Sequence, residues 1–479
     1  MSFVSYSFLA LVAALLLLSN TFTAPRSRAL SCLGASAIFL ASYVDSSLQL
    51  LPLSAFMLVG YGSVELLRRT RSAAHLAALL LAVVACFVVL KRYSFVSGLL
   101  ELPFPYLVVG LSYVLFRALH LMIDAQQGEL LRRVPLFGFA LYCVNFLSFT
   151  AGPIQRYDDF ARAQAAPHTL SEPVVYGAFA RVVRGFVKVG VVSAVLSYLF
   201  SSLSALLLDP ALSLAWPKLA LLYVLAASAY CGHLYANFAG YMDIVIGVGV
   251  LIGLPLPENF ERPFQARNFL DFWSRWHMTL SSWFKTYLFN PLLKALTARF
   301  SSAASAPYLA VLAFFVTFLL MGLWHGASSV FVIYGLLLGA GASMNKCWQL
   351  FATKRFGKRA YKQLCEKRGA IYISRGLTFA YFALALTCLW VSTAELTHLA
   401  AKLGAPGLLL GYLALSIGGG GMFFVVDAAA ARWRALSAKR GAGGFGPAWR
   451  DLALAAQVLL VLSVGSFFHK APEFVYRAF

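Results

Sequence analysis

Residues 300–345 read FSSAASAPYLAVLAFFVTFLLMGLWHGASSVFVIYGLLLGAGASMN, and no Asp, Glu, Lys or Arg interrupts them. A membrane-crossing helix takes about 20 mostly apolar residues, so the stretch predicts two, near 306–324 and 327–345. Between them stands His325, inside LLMGLWHGASS (319–329). A polar residue at membrane depth is costly, and is a functional candidate for that reason. Trp324 precedes it, and Gly326, Ala327, Ser328 and Ser329 leave room for a substrate chain. Imidazole suits proton transfer near neutral pH, and burial without a partner would keep it neutral. From these residues alone, catalysis and packing are about evenly matched.

The rest of the chain extends the membrane reading. Of 479 residues 61% are hydrophobic and only 12% charged, where soluble domains carry roughly 25% charged residues. Further candidate spans lie near 4–22, 28–44, 48–67, 74–90, 104–122, 134–151, 185–208, 217–235, 238–254, 372–393, 405–426 and 452–468. The fold class is therefore an all-α polytopic membrane protein of eleven to fourteen helices. A β-barrel would alternate over strands of about 10 residues, and no such pattern occurs.

The net charge of +21 does not mark a nucleic-acid binder, because the basic residues gather in loops between spans. Arg26 and Arg28, Arg68 to Arg71, Arg132 and Arg133, KRFGKRAYKQLCEKR (354–368) and Arg432 to Arg450 form the clusters. Positive-inside bias puts these loops in the cytoplasm, with the N-terminus and the tail after Phe468 outside. Arg181, Arg184 and Lys188 blur the pattern. The same loops are placed to touch anionic lipid headgroups. The first apolar run has its arginines after it, unlike a cleaved signal peptide. Seven scattered cysteines without a CxxC pair read as packing residues.

The stretches 152–173 and 347–371 read as connecting loops, but 254–294 is rich in aromatics and charges at once. At 3.6 residues per turn, Phe269, Phe272, Trp273, Trp276, Leu280, Trp283, Phe284 and Tyr287 share one face. Asp271, Ser274, Arg275, Ser282 and Lys285 share the other. Such a helix lies in the interface plane or enters as a re-entrant element. His277, at the edge of the apolar face, reads from periodicity as an interfacial histidine facing headgroups.

No nucleotide-binding, zinc-protease or nucleophile-elbow motif appears, and no metal site is expected. GGGG (418–421) reads as a close-packing surface. The other polar residues at membrane depth are Arg117, His120, His233, Asn237 and Asp243. For His120, His233 and Asp243, an internal hydrogen-bonding role is the stronger reading.

Three blocks then carry a resemblance: YANFAGYMDIVIGVGVLIGLPLPENFERPF, FWSRWHMTLSSWFKTYLFNPL and LMGLWHGASSVFVIYGLLLG. LSYVLFRALHLMID, FLSFTAGPIQRYDDF and GLTFAYFALALTCLWV support them. Together they resemble the membrane-bound O-acyltransferase family, nearest to its bacterial alginate O-acetylation branch, with the teichoic-acid D-alanylation protein more distant. The resemblance covers most of the chain and implies one membrane domain over 1–479: N-terminal helices (1–150), a core holding both histidines (151–346) and C-terminal helices (372–479). It implies a ring of tilted helices around a tunnel from cytoplasmic donor to extracytoplasmic acceptor.

The histidine of its LWHG block matches His325, the presumed catalytic residue, and that of FW-x-R-WH matches its companion His277. Trp324, Trp276 and Arg275 become candidates for lining the tunnel or holding an anionic donor, and Asn237 and Asp243 for supporting the site. The function implied is acetyl transfer from acetyl-CoA or a carrier-linked acyl group, with no tightly bound cofactor, across the bacterial inner membrane to an exported polysaccharide. Periplasmic acyltransferases are the expected partners. Relatives often carry two arginines where this chain has Ser274 and Arg275, and an aromatic and an arginine where Val391, Ser392 and Thr393 follow Trp390. These departures leave the polysaccharide open. D-alanyl or other acyl transfer to an envelope glycan or lipid is the alternative within the class, and a transporter the alternative outside it.

Overall fold

In lipid every backbone N–H and C=O needs an internal partner, which apolar runs meet by winding into helices. The computed structural model describes residues 5–96, 102, 104–130, 132–300, 302, 305–439 and 447–467, and the described residues contain helices and no strand. The tail after Phe468 lies outside them. The chain opens with α1 (Tyr6–Thr21), α2 (Pro25–Ala41), α3 (Leu51–Thr70) and α4 (Ala73–Leu90). Next come α5 (Leu111–Gln127), α6 (Leu136–Val144) and α7 (Tyr157–Ala165). Then α8 (Glu172–Val187) runs through a π-helical turn (Lys188–Ser193) into α9 (Ala194–Leu208), and α10 (Trp216–Leu251) follows. The aromatic segment supplies α11 (Phe269–Trp273), α12 (Met278–Phe284), a π turn (Lys285–Phe289) and α13 (Asn290–Arg299). The chain ends with α14 (Ala306–His325), α15 (Val330–Phe356), α16 (Lys358–Glu366), α17 (Arg368–Leu386), α18 (Thr393–Lys439) and α19 (Pro447–Phe467).

Among the described residues eight helices are long and apolar enough to cross a membrane. The larger number expected from sequence counted shorter elements and split one long helix. The runs near 217–235 and 238–254 are a single 36-residue helix, α10, since no breaker separates them. The run near 134–151 is helical only to Val144. The run near 104–122 becomes helical at Leu111. In α18 the helix is broken at Gly404, whose φ of 62° is left-handed, just before Pro406. A capping box starts α18: Ser392 N–H donates to Glu395 Oε2 at 2.7 Å and Glu395 N–H to Ser392 Oγ at 3.3 Å.

Among the described residues the chain divides into two compact units, one of residues up to Phe186 with Phe238–Glu258, the other of Val187–Asn237 with residues 259–467. In the first unit, buried arginines tie irregular backbone together. Arg117 Nη2 donates to Ser148 O at 2.8 Å and Oγ at 2.7 Å, while its Nη1 donates to Cys143 O at 2.5 Å. His120 donates from Nδ1 to Phe116 O and accepts at Nε2 from Tyr157 N–H, each at 3.3 Å. These contacts hold the break after α6, so Arg117 and His120 serve the fold. Arg28 likewise donates to the carbonyls of Gln164, Ala166 and Gly253, which the ends of α7 and α10 leave open.

In the second unit α14 and α15 form a tight hairpin. A Cβ on Gly322 would lie 2.1 Å from Gly335 Cα, so only glycine permits this approach. Within GGGG only the two middle glycines pack closely, a Cβ on Gly419 lying 2.8 Å from the Phe379 ring and one on Gly420 2.8 Å from the Tyr372 carbonyl of α17, while Gly418 and Gly421 face open space.

Candidate active site

His325 ends α14 and is buried, 4% exposed. Its Nδ1 lies 2.7 Å from the Met321 carbonyl oxygen one turn earlier. A carbonyl only accepts, so Nδ1 carries a proton and Nε2 is the ring nitrogen left to face a reacting group. Trp324 and Tyr334 meet the ring edge-on, at 4.9 and 5.4 Å between centroids. The chain leaves the helix in extended form at Gly326, where a Cβ would strike the Phe331 ring at 2.0 Å. Ser328 and Ser329 follow at the surface, and Ser329 Oγ meets Thr393 Oγ1 at 2.7 Å.

His277 is not interfacial. It is 1% exposed and sits at φ 46°, ψ 51°, a left-handed turn between α11 and α12. The continuous amphipathic helix expected over 269–287 is thus broken in the middle. Its apolar positions Phe269, Phe272, Trp273, Trp276, Leu280 and Phe284 are buried all the same. Left-handed backbone is uncommon for any residue but glycine, histidine being among the side chains that adopt it more readily, and here a clasp imposes it. Residues 259–261 run antiparallel to 275–278: Glu261 N–H donates to Arg275 O, and Met278 N–H to Asn259 O, both at 2.9 Å.

Asn259, fully buried, organises the turn. Its Oδ1 accepts from Thr279 N–H at 3.1 Å, from Thr279 Oγ1 at 2.8 Å and from His277 Nδ1 at 3.2 Å. His277 therefore also carries its proton on Nδ1 and a lone pair on Nε2. Burial, reinforced by the neighbouring His325 ring, holds His277 well below the ordinary histidine range. Sequence reading missed Asn259. The only signal was its place in PENF, ahead of the FWSRWH block.

The other candidates divide. Trp276 is a buried packing pillar, stacked on Phe272 at 5.5 Å and set edge-on to Phe260 and Phe382 at 5.0 Å. Arg275 is half-exposed and ion-paired with Asp271 at 2.9 Å. Asn237 is fully buried in α10. Asp243 is ion-paired with Arg181, 3.0 Å away, whose Nη groups hold Glu258, in keeping with an internal bonding role. His233 bonds Ser193 through Nδ1, at 3.0 Å to Oγ and 3.1 Å to the carbonyl, and so serves the packing of α10.

A cavity of about 420 Å³ opens between α14 and the α11–α13 segment. Met278, which follows His277, and Met321, whose carbonyl holds His325, border it, though neither histidine lines it.

Residues 38–365 match the model of the MBOAT, membrane-bound O-acyltransferase, family. The chain belongs to that family. It is 30% identical over 276 residues to the teichoic acid D-alanyltransferase of Bacillus subtilis (strain 168), covering 57% of this chain and 66% of that protein. It is also 30% identical over 250 residues to the probable alginate O-acetylase AlgI of Pseudomonas aeruginosa, covering 52% and 44%. A match at 38% identity to the peptidoglycan O-acetyltransferase of Helicobacter pylori spans 128 residues, 27% of this chain and 23% of that protein. The matches thus span two thirds or less of each relative. D-alanyltransferase and O-acetylase match at the same identity, so identity does not rank the two branches.

Proposed function

We propose that the protein is a membrane-bound O-acyltransferase of the bacterial inner membrane. It takes an acetyl group from a cytoplasmic thioester and delivers it for O-acetylation of an exported polysaccharide. The observation that carries this reading is the placement of His325: buried, held through Nδ1 by the Met321 carbonyl, and followed at once by a surface loop of small residues. Its Nε2 takes the proton of an acceptor hydroxyl as the oxygen attacks the thioester carbonyl. The C–S bond then breaks, and the thiolate leaves with the proton that the imidazolium returns. His277, held by Asn259, shares that proton traffic or steadies the donor.

Sidedness supports the same direction of transfer. α15 begins beside His325 and ends in the basic cluster 354–368, so the two lie at opposite ends of the hairpin. Positive-inside bias assigns the basic end to the cytoplasm, which leaves His325 toward the acceptor side. A periplasmic acyltransferase is the proposed receiving partner. Because D-alanyltransferases match equally well, D-alanyl transfer is the second reading. Ester analysis of the envelope and secreted polysaccharide, from cells with and without the gene, separates them. Acetyl esters lost on deletion and restored by the intact chain support the first reading. D-alanyl esters behaving so support the second, and neither responding overturns both.

A further inference from the structure

A stripe along α3 joins an apolar groove to a patch of unbalanced positive charge. Ser54, Leu58, Tyr61, Glu65 and Arg68 recur every three or four residues, so they share one face of the helix. Ser54 and Leu58 belong to a groove of about 360 Å³ between α2, α3 and α6. Leu40, Leu136, Phe139 and Val144 complete most of its wall, and Ser54 brings its only hydroxyl. Leu58 and Leu136 are also exposed, so the groove opens to the solvent of a membrane span, which is lipid. Past the groove, Tyr61 packs on Phe139 at 5.4 Å between centroids and donates from its hydroxyl to the Val134 carbonyl at 3.4 Å. That contact brings Arg133 against Glu65, one turn beyond Tyr61. Glu65 Oε1 accepts from Arg133 Nε and Arg68 Nε, both at 3.3 Å. Its Oε2 accepts from Arg68 Nη2 at 3.2 Å, with Arg69 Nη2 3.9 Å away. Three guanidinium groups thus share one carboxylate. Arg133 bonds it through Nε alone, and among the described residues its Nη groups have no other acceptor.

We propose that an anionic diacyl phospholipid binds here, with its phosphate on Arg69 and Arg133 and one acyl chain in the groove. Leu58 and Glu65 are seven residues apart on one face, roughly 10 Å along the axis. The glycerol and its ester link bridge that interval between phosphate and hydrocarbon. Positive-inside bias puts these arginines at the cytoplasmic surface, where the leaflet carries the anionic lipids that basic clusters attract. A free anion would balance the arginines and leave the groove unfilled. A zwitterionic lipid would fill the groove and bring a cation of its own to the arginines. Only a lipid with net negative charge meets both ends. None of the residues assigned to acyl transfer takes part, so the lipid braces α2, α3 and α6 and does not enter the reaction.

The test is native mass spectrometry of the full chain in detergent, offered phosphatidylglycerol and phosphatidylcholine with the same acyl chains at equal concentration. Wild type is expected to hold its first phosphatidylglycerol about tenfold more tightly than phosphatidylcholine, as one charge-assisted contact gives. Arg69→Gln with Arg133→Gln, both at exposed positions, leaves Arg68 to balance Glu65 and should bring the two lipids to parity. Ser54→Trp, also at an exposed position, fills the groove and should weaken both lipids with every arginine in place. The two changes lie on different parts of α3 and the loop before α6, so each checks the other should one variant fold poorly. Equal binding of the two lipids by wild type overturns the proposal. So does a tenfold preference that survives both the charge and the groove variants. Inorganic phosphate that abolishes the preference while Ser54→Trp changes nothing assigns the arginines to a free anion, and overturns it as well.

Discussion

Asn259 Oδ1 and His277 Nδ1 lie 3.2 Å apart in a buried turn, and the same oxygen takes two more donors from Thr279. One amide thus fixes the tautomer of a histidine held in left-handed backbone. Asn259→Ala strands those donors, at a cost of roughly 1–3 kcal/mol. The expected outcome is a lower unfolding temperature and a transfer rate reduced more than the donor KM is raised. Asn259→Asp, which keeps the acceptor oxygen, should recover part of the rate. Equal loss in both variants would remove the positioning role.

His277→Asn separates backbone from chemistry. Asparagine tolerates left-handed φ better than most residues, so the variant should reach the membrane at near wild-type abundance yet transfer at least tenfold more slowly. A β-branched His277→Val should lose abundance as well, and immunoblots of membranes against transfer rate decide.

The neutral, buried state of His277 also makes stability depend on pH. Its folded pKa is depressed, so the unfolded chain takes up a proton near pH 6.5 that the folded chain refuses. Stability from this group is present above about pH 6.5 and is lost as pH falls below it. Thermal unfolding of wild type should drop more steeply than that of His277→Gln between about pH 6.5 and 5. Parallel curves would contradict the account.

Gly322→Leu tests the hairpin that carries His325. The first added carbon would already lie 2.1 Å from Gly335 Cα, and overpacking of this kind costs roughly 1–3 kcal/mol. α14 should shift, with transfer falling before abundance does. Cysteine cross-linking across the hairpin reports the shift.

Arg117→Met leaves the Cys143 and Ser148 carbonyls without their donor. Loss of membrane abundance is expected, with normal specific activity in whatever protein remains. Normal abundance with lost activity would return Arg117 to the site.

Much of this was legible in the sequence because the membrane reads composition directly: α14 lies where the uncharged run placed it, and α15 overlaps its expected span and continues to Phe356. Periodicity also found the buried side of 269–284, since burial follows side-chain type. It could not find the turn at His277, because a clasp from Asn259, far along the chain, imposes that φ. The internal bonding role read for Asp243 is met, but its partner Arg181, 62 residues away, had no signal in the sequence. That pairing also explains why charge bias blurred there, since Arg181 is neutralised by Asp243 and Glu258 rather than left to mark a side. Two of the passages between units, near residues 186 and 237, fall inside continuous helices and leave no composition signal.

The most direct test is the acetyl content of secreted polysaccharide from cells carrying His325→Ala, with membrane abundance of the protein measured alongside. The account predicts acetyl lost at wild-type abundance. Acetylation unchanged at that abundance would contradict it, and would leave His325 a packing residue at the end of α14.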